Sequence, residues 1–157
     1  MPRPRDIALF SSLLEGGSPE HALAYLNEAV PHRYTAVYRL DGDELRNVYL
    51  HDKQGEVRPE FLAVVPFGDS FCQFVLRDGS FRTSDSAQEP MLDGHPYQGV
   101  MVSYHGAPLA DANGRLLGTL CHFDVVSHEL QEPEFELLCR AGLLLPAYLP
   151  RSEGEAP

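Results

Sequence analysis

Three cysteines and seven histidines are the residues of this 157-residue chain best suited to chemistry. A thiol acts through its thiolate, and a sulfenic acid left on it needs a second thiol to resolve it. Cys121 falls in an apolar run that reads as a strand, and Cys139 in one that reads as a helix. Thiols packed on regular elements are inert as a rule. That leaves Cys72, which follows Pro66-Phe67-Gly68-Asp69-Ser70-Phe71. The histidines stand at 21, 32, 51, 95, 105, 122 and 128, with no His-x-x-x-His or Cys-x-x-Cys step, so no metal site is expected. His105 and His122 can approach each other if their strands pair. Cys121 and His122 are strand neighbours and point to opposite faces, so they cannot share an ion. Gly16-Gly17-Ser18 lacks the lysine and the preceding strand of a phosphate loop.

These residues must be placed by the elements around them. Ile7, Phe10, Leu13 and Leu14 have helical spacing over 6–14, which ends at Gly16-Gly17. Ser18, Pro19 and Glu20 predict a second helix start, with Ser18 as cap. Ala22, Leu23, Leu26, Ala29 and Val30 form its stripe, and Pro31 stops it. Residues 34–40 and 44–52 read as a hairpin about Asp41-Gly42, and 100–109 and 116–126 as a second about Asp111-Ala112-Asn113-Gly114. Between them, 53–97 is irregular, with a short extended piece at 80–83 and a turn capped by Asp85-Ser86. A last helix runs from Glu132 to about Leu145, with Pro133 in its first turn. This order gives an α+β domain on an antiparallel sheet, with 34–40 and 116–126 near its centre.

The second hairpin carries a resemblance. Ser103-Tyr104-His105-Gly106-Ala107-Pro108-Leu109, then Gly114-Arg115-Leu116-Leu117-Gly118-Thr119-Leu120-Cys121-His122-Phe123-Asp124, resembles the central hairpin of GAF domains. Tyr38-Arg39-Leu40-Asp41-Gly42, Pro66–Cys72 and Thr83-Ser84-Asp85-Ser86 follow in the same order, so the resemblance spans about residues 18–146 and is strongest over 99–124. It implies a PAS-related sheet of five or six strands, with terminal helices on one face and the irregular insert closing a pocket on the other. The expected division is 1–17 as N-terminal helix and linker, 18–150 as the GAF-like domain, and 151–157 as a disordered acidic tail.

GAF domains are mostly sensory modules that enclose a small molecule, which implies a non-catalytic ligand-binding or regulatory role. If the insert covers the sheet, Phe67, Phe71, Phe74, Tyr97 and Tyr104 supply apolar walls beside Cys72, with Asp85, Ser103 and His105 as polar points. The same aromatics can equally fill a second core. The alternative is a thiol-dependent free methionine sulfoxide reductase, because Pro66–Cys72 resembles a string found in GAF proteins of that activity. In those enzymes the attacking Cys lies in the loop before the next strand and another Cys stands upstream. Here the loop 89–99 has none, and neither does the chain before Cys72. No bilin-attachment motif is seen, and no cofactor is expected beyond an unidentified small-molecule ligand.

The formal net charge of −11 argues against nucleic acid and anionic membrane surfaces as partners. Arg3 and Arg5 make no targeting signal, no apolar run approaches the ~20 residues of a membrane span, and the odd, widely spaced cysteines suit a reduced cytoplasm. No output domain is recognisable in the sequence, so a signal is expected to pass through a partner protein or a dimer. The last helix is two-faced: Phe135, Leu138, Gly142 and Leu145 line one side, and Leu137, Ala141, Leu144 and Tyr148 another. The second stripe predicts a neighbour, either the first helix or another subunit in a homodimer paired through terminal helices.

Overall fold

The computed structural model describes residues 7–149, so the expected tail and the two N-terminal arginines lie outside the described residues. Helices α1 (Ile7–Glu15) and α2 (Pro19–Asn27) lead into strands β1 (Tyr34–Asp41) and β2 (Glu44–Asp52). The insert follows with β3 (Val64–Pro66), α3 (Cys72–Asp78), β4 (Phe81–Thr83) and short 3-10 turns. Strands β5 (Ser103–Ala110) and β6 (Leu116–Asp124) make the second hairpin, and α4 (Glu132–Leu144) closes the domain.

All six strands form one antiparallel sheet in the order β3-β2-β1-β6-β5-β4, with β1 and β6 at its centre as expected. Local chemistry sets both hairpins. Gly42 takes φ +64° in the first turn. In the second, Asp111 Oδ1 accepts from the backbone N–H groups of Asn113 and Arg115 while Gly114 supplies φ +80°. Strand β5 begins three residues later than expected, because 98–101 turn back over the sheet through Val100 N–H and Met101 N–H to the Tyr97 carbonyl. Ser18 occupies the N-cap of α2 but makes no capping side-chain bond, so Pro19 and Glu20 carry that start.

The sheet separates two cores. Val37, Ala107, Leu109 and Leu120 face α1, α2 and α4, while Ala36, Tyr38, Tyr104, Cys121 and Phe123 face the insert. On the helical side, Phe10 and Leu14 of α1 are buried with Leu137, Leu138 and Ala141 of α4. Burying each of these Phe and Leu side chains is worth ~1.5–3 kcal/mol. Helix α1 therefore meets the extra apolar stripe of α4 within the chain, and of that helix Leu143 stays well exposed.

Candidate functional site

Strand alternation sends Tyr38, Tyr104 and Phe123 to the insert side of the sheet, and Leu45 of β2 joins them there. The insert lays Phe61, Leu62, Val65, Ser70, Phe71, Cys72, Tyr97 and Met101 across them, leaving a cavity of about 50 Å³. The cover is built by specific bonds. His95 accepts from the Tyr97 backbone N–H at Nδ1, and its Nε2 lies 3.3 Å from the Ser70 carbonyl, joining the two covering segments. Ser86 Oγ donates to the Met101 carbonyl and accepts from Gly99 N–H, pinning the last turn before β5.

Tyr104 is positioned by an absence of side chain. A Cβ at Gly106 would lie 2.7 Å from a Tyr104 ring carbon and 2.9 Å from a Val75 methyl. Glycine there lets the ring lie along its own strand, and its hydroxyl then sits 3.3 Å from Cys72 Sγ. Thr119 Oγ1 lies 3.1 Å from the same sulfur. Burial pushes the Cys72 thiol up, against the lowering effect of its bonds to Thr119 and Tyr104. The same desolvation pushes Cys121 and the Tyr104 and Tyr38 hydroxyls well above their usual ranges. The site is therefore a network of neutral thiols and hydroxyls at ordinary pH, and Cys72 is held as a thiol rather than a thiolate.

Of the sequence-predicted residues, the structure brings Phe71, Cys72, Tyr97 and Tyr104 together at the cavity. Phe74 packs in the adjoining core, and Phe67 is half-buried against it. The expected polar points are elsewhere. Ser103 and His105 flank Tyr104 on β5 and so face the opposite side of the sheet, where Ser103 Oγ donates to the Val126 carbonyl. Asp85 caps the 3-10 turn Ser86–Gln88 by accepting from Ala87 N–H, as its place before the turn predicted. Sequence reasoning missed Thr119, Tyr38 and Met101. Thr119 was findable, being two residues from Cys121 and hence on its face.

His105 belongs to a second polar cluster on the helical side. His32 Nε2 lies 3.1 Å from His105 Nδ1, and the His32 ring is 5.7 Å from that of His122 and 5.2 Å from that of His128. Thr35 Oγ1 meets His122 Nδ1 at 2.6 Å, and His128 Nε2 meets Asp124 Oδ2 at 2.9 Å. His105 and His122 pair across β5 and β6 as the sequence allowed, but His32 and His128 arrive from loops. Burial is the main cause that lowers His32 to about 3 and His105 to about 4. Among the described residues no three His, Cys, Asp or Glu side chains are arranged to hold a metal ion. Nor is any described helix long and apolar enough to cross a membrane.

No family model matches the chain. Over 63 residues, 38% of its length, it is 43% identical to a cyclic di-GMP phosphodiesterase of Pseudomonas aeruginosa, of which it spans only 11%. Among solved structures it is similar to the free methionine-R-sulfoxide reductase of Neisseria meningitidis in complex with its substrate (TM-score 0.69, 20% identity, 90% of this chain and 84% of that one). It is likewise similar to the GAF domain of an Acinetobacter phosphoenolpyruvate-protein phosphotransferase (TM-score 0.71, 12% identity, 90% and 88%). Likeness at such low identity speaks for architecture and not for activity, and the architecture of this chain is the GAF fold.

Proposed function

We propose that the protein is a non-catalytic small-molecule-binding module, in which occupancy of the cavity beneath the insert is the signal. The carrying observation is the cavity itself, partly open to solvent and walled by aromatic side chains of the sheet and by a cover whose segments are tied by His95 and Ser86. Filling the space couples the insert to the centre of the sheet, and a partner protein or a second copy that contacts the cover reads the change. The GAF architecture supports the reading by analogy alone, one similar solved structure being a putative GAF sensor protein of Burkholderia vietnamiensis.

The reductase alternative rests on Cys72, and the surroundings of that thiol weigh against it. Attack on a sulfoxide sulfur needs a thiolate, whereas burial holds Cys72 protonated between Tyr104 and Thr119. Native mass spectrometry of the purified protein tests the main reading, the expected result being a bound small molecule lost on denaturation. With free methionine sulfoxide and a thioredoxin system, turnover above the no-enzyme rate that disappears in Cys72→Ser would reverse the ranking.

A further inference from the structure

The cavity lining carries a chemical selection beyond its shape. None of the side chains that face it is Asp, Glu, Lys, Arg or His. The cation whose field reaches the lining Tyr38 is Arg58, which is exposed and donates to Asn47 Oδ1. The lining hydroxyls are mostly engaged as well. Tyr38 donates to the Leu62 carbonyl at 2.7 Å, Ser70 to the Phe67 carbonyl at 2.8 Å, and Tyr104 is joined to Cys72. The Tyr97 hydroxyl has no protein partner among the described residues, and it is not sealed from solvent, so it is free to exchange a water for a ligand.

An ion entering such a space sheds its water and meets no counter-charge among the lining side chains, so its desolvation goes uncompensated. A zwitterion suffers it twice. Size acts in the same direction. An engineered apolar cavity of ~150 Å³ takes up a benzene ring, and the present space is about 50 Å³. A single ring therefore needs a small retreat of the cover, where Phe61 stands 47% exposed at the rim on a three-residue turn. A nucleotide would need the cover removed.

Resting on the ligand-binding reading above, we propose that the pocket selects an uncharged, largely apolar molecule of at most one ring, oriented by one hydrogen bond to the Tyr97 hydroxyl. Phe71 and Tyr104, already edge-to-face at 5.6 Å, present ring edges and faces to it. The rule excludes amino acids, nucleotides and carboxylates on charge.

Three probes of nearly equal size isolate charge: benzyl alcohol, benzylamine (a cation at neutral pH) and benzoate. Cyclic GMP and free methionine sulfoxide complete the set, each titrated to millimolar concentration while side-chain NMR signals of Phe71, Tyr104 and Phe123 are followed. Benzyl alcohol is expected to shift these signals saturably and the four charged probes to leave them unmoved. Tyr97→Phe, at a half-buried position, is expected to weaken benzyl alcohol by about five- to ten-fold and leave toluene unchanged. Should a charged probe move these signals while benzyl alcohol does not, the selection is wrong and the ligand-binding reading stands. Equal weakening of toluene and benzyl alcohol in Tyr97→Phe removes the orienting bond. If none of the probes moves the signals, both readings fall, and a higher melting temperature in Val65→Phe then identifies the space as a packing void.

Discussion

Tyr104 and His105 are neighbours on one strand, as are Cys121 and His122 on the next, yet they belong to two unlike interiors. On the insert side, thiols and hydroxyls form a neutral network around a cavity. On the helical side, four imidazoles and Asp124 crowd together with His32 and His122 almost fully buried. The first set loses protons only in alkali, whereas burial keeps His32 and His105 of the second neutral until well into acid. One sheet thus carries two polar clusters whose protonation limits lie on opposite sides of neutrality, and the pocket stays uncharged across the range between them.

Acid gives the largest separation of the two faces. His32 sits beside His105, His128, Asp124 and Lys53, and His105 beside Arg82 and His128. Their folded values of about 3 and about 4 lie below the ~6.5 of the unfolded chain. The unfolded state therefore binds more protons in this window, so the stability is complete above ~6.5 and falls as pH drops towards 4 and then 3. Two buried groups over roughly two pH units amount to several kcal/mol. Urea midpoints measured from pH 8 to pH 4 should fall steeply, and His105→Gln should flatten the fall by about half. A midpoint that hardly moves above pH 4 would erase the distinction between the faces.

The insert side is more sensitive to volume than to protons. In Gly106→Ala the new methyl meets the Tyr104 ring, its hydroxyl at 2.8 Å and the Val75 methyl. Overpacking of this kind costs about 1–3 kcal/mol. The expected loss is in the urea midpoint at pH 7, accompanied by displacement of the Tyr104 ring signals, while the acid limb keeps its wild-type slope. A changed acid slope would show that the two interiors communicate through β5.

Much of the sheet was legible because its signals are local. Asp41-Gly42 and Asp111–Gly114 fix two turns, and the runs beside them pair as their turns require. Helix α3 was not, since the apolar residues of 71–76 are too few to show a helical period. The misplacement of Ser103 and His105 is instructive, because the alternation that separates Cys121 from His122 separates them from Tyr104 too. His32 is different in kind. It lies between α2 and β1, 73 residues from His105, and is set there by Asn27 Nδ2 donating to its carbonyl and to Thr35 Oγ1. Nothing local in the sequence encodes that meeting. Nor can a sequence tell an aromatic wall from an aromatic core, since Phe74 and Phe71 differ only in which reaches the cavity.

Removing one hydroxyl probes the insert side at a finer scale. Tyr104→Phe leaves the ring over Gly106 and deletes the bond to Cys72, with an expected loss of about 1 kcal/mol in urea unfolding at pH 7. Its alkaline behaviour should improve. Tyr104 is held well above its usual range by burial, so its contribution is complete below ~10 and falls as pH rises beyond. The variant should lose midpoint more slowly than wild type above that pH, and an unchanged alkaline slope would mean that Tyr104 ionises freely in the folded state.

The smallest effect decides whether the neutral network acts as a unit. Thr119→Val removes the 3.1 Å partner of Cys72 and nearly preserves volume. Sulfur is a weak hydrogen-bonding partner, so the expected loss is only about 0.5 kcal/mol by urea unfolding. Combined with Tyr104→Phe, it forms a cycle around one thiol. If the two bonds polarise each other through Cys72, the double variant departs from the sum of the singles by a measurable coupling. Additivity within about 0.3 kcal/mol means that each hydroxyl acts on its own, and that the pocket floor is a set of separate neutral contacts. The imidazole cluster provides the contrast, because its members shift one another through charge. His32→Asn with His105→Gln should therefore depart from additivity near pH 4, where the folded imidazoles begin to take protons, more than at pH 7, where neither carries charge. A thiol network that coupled as strongly as the histidines would remove the last difference between the two faces.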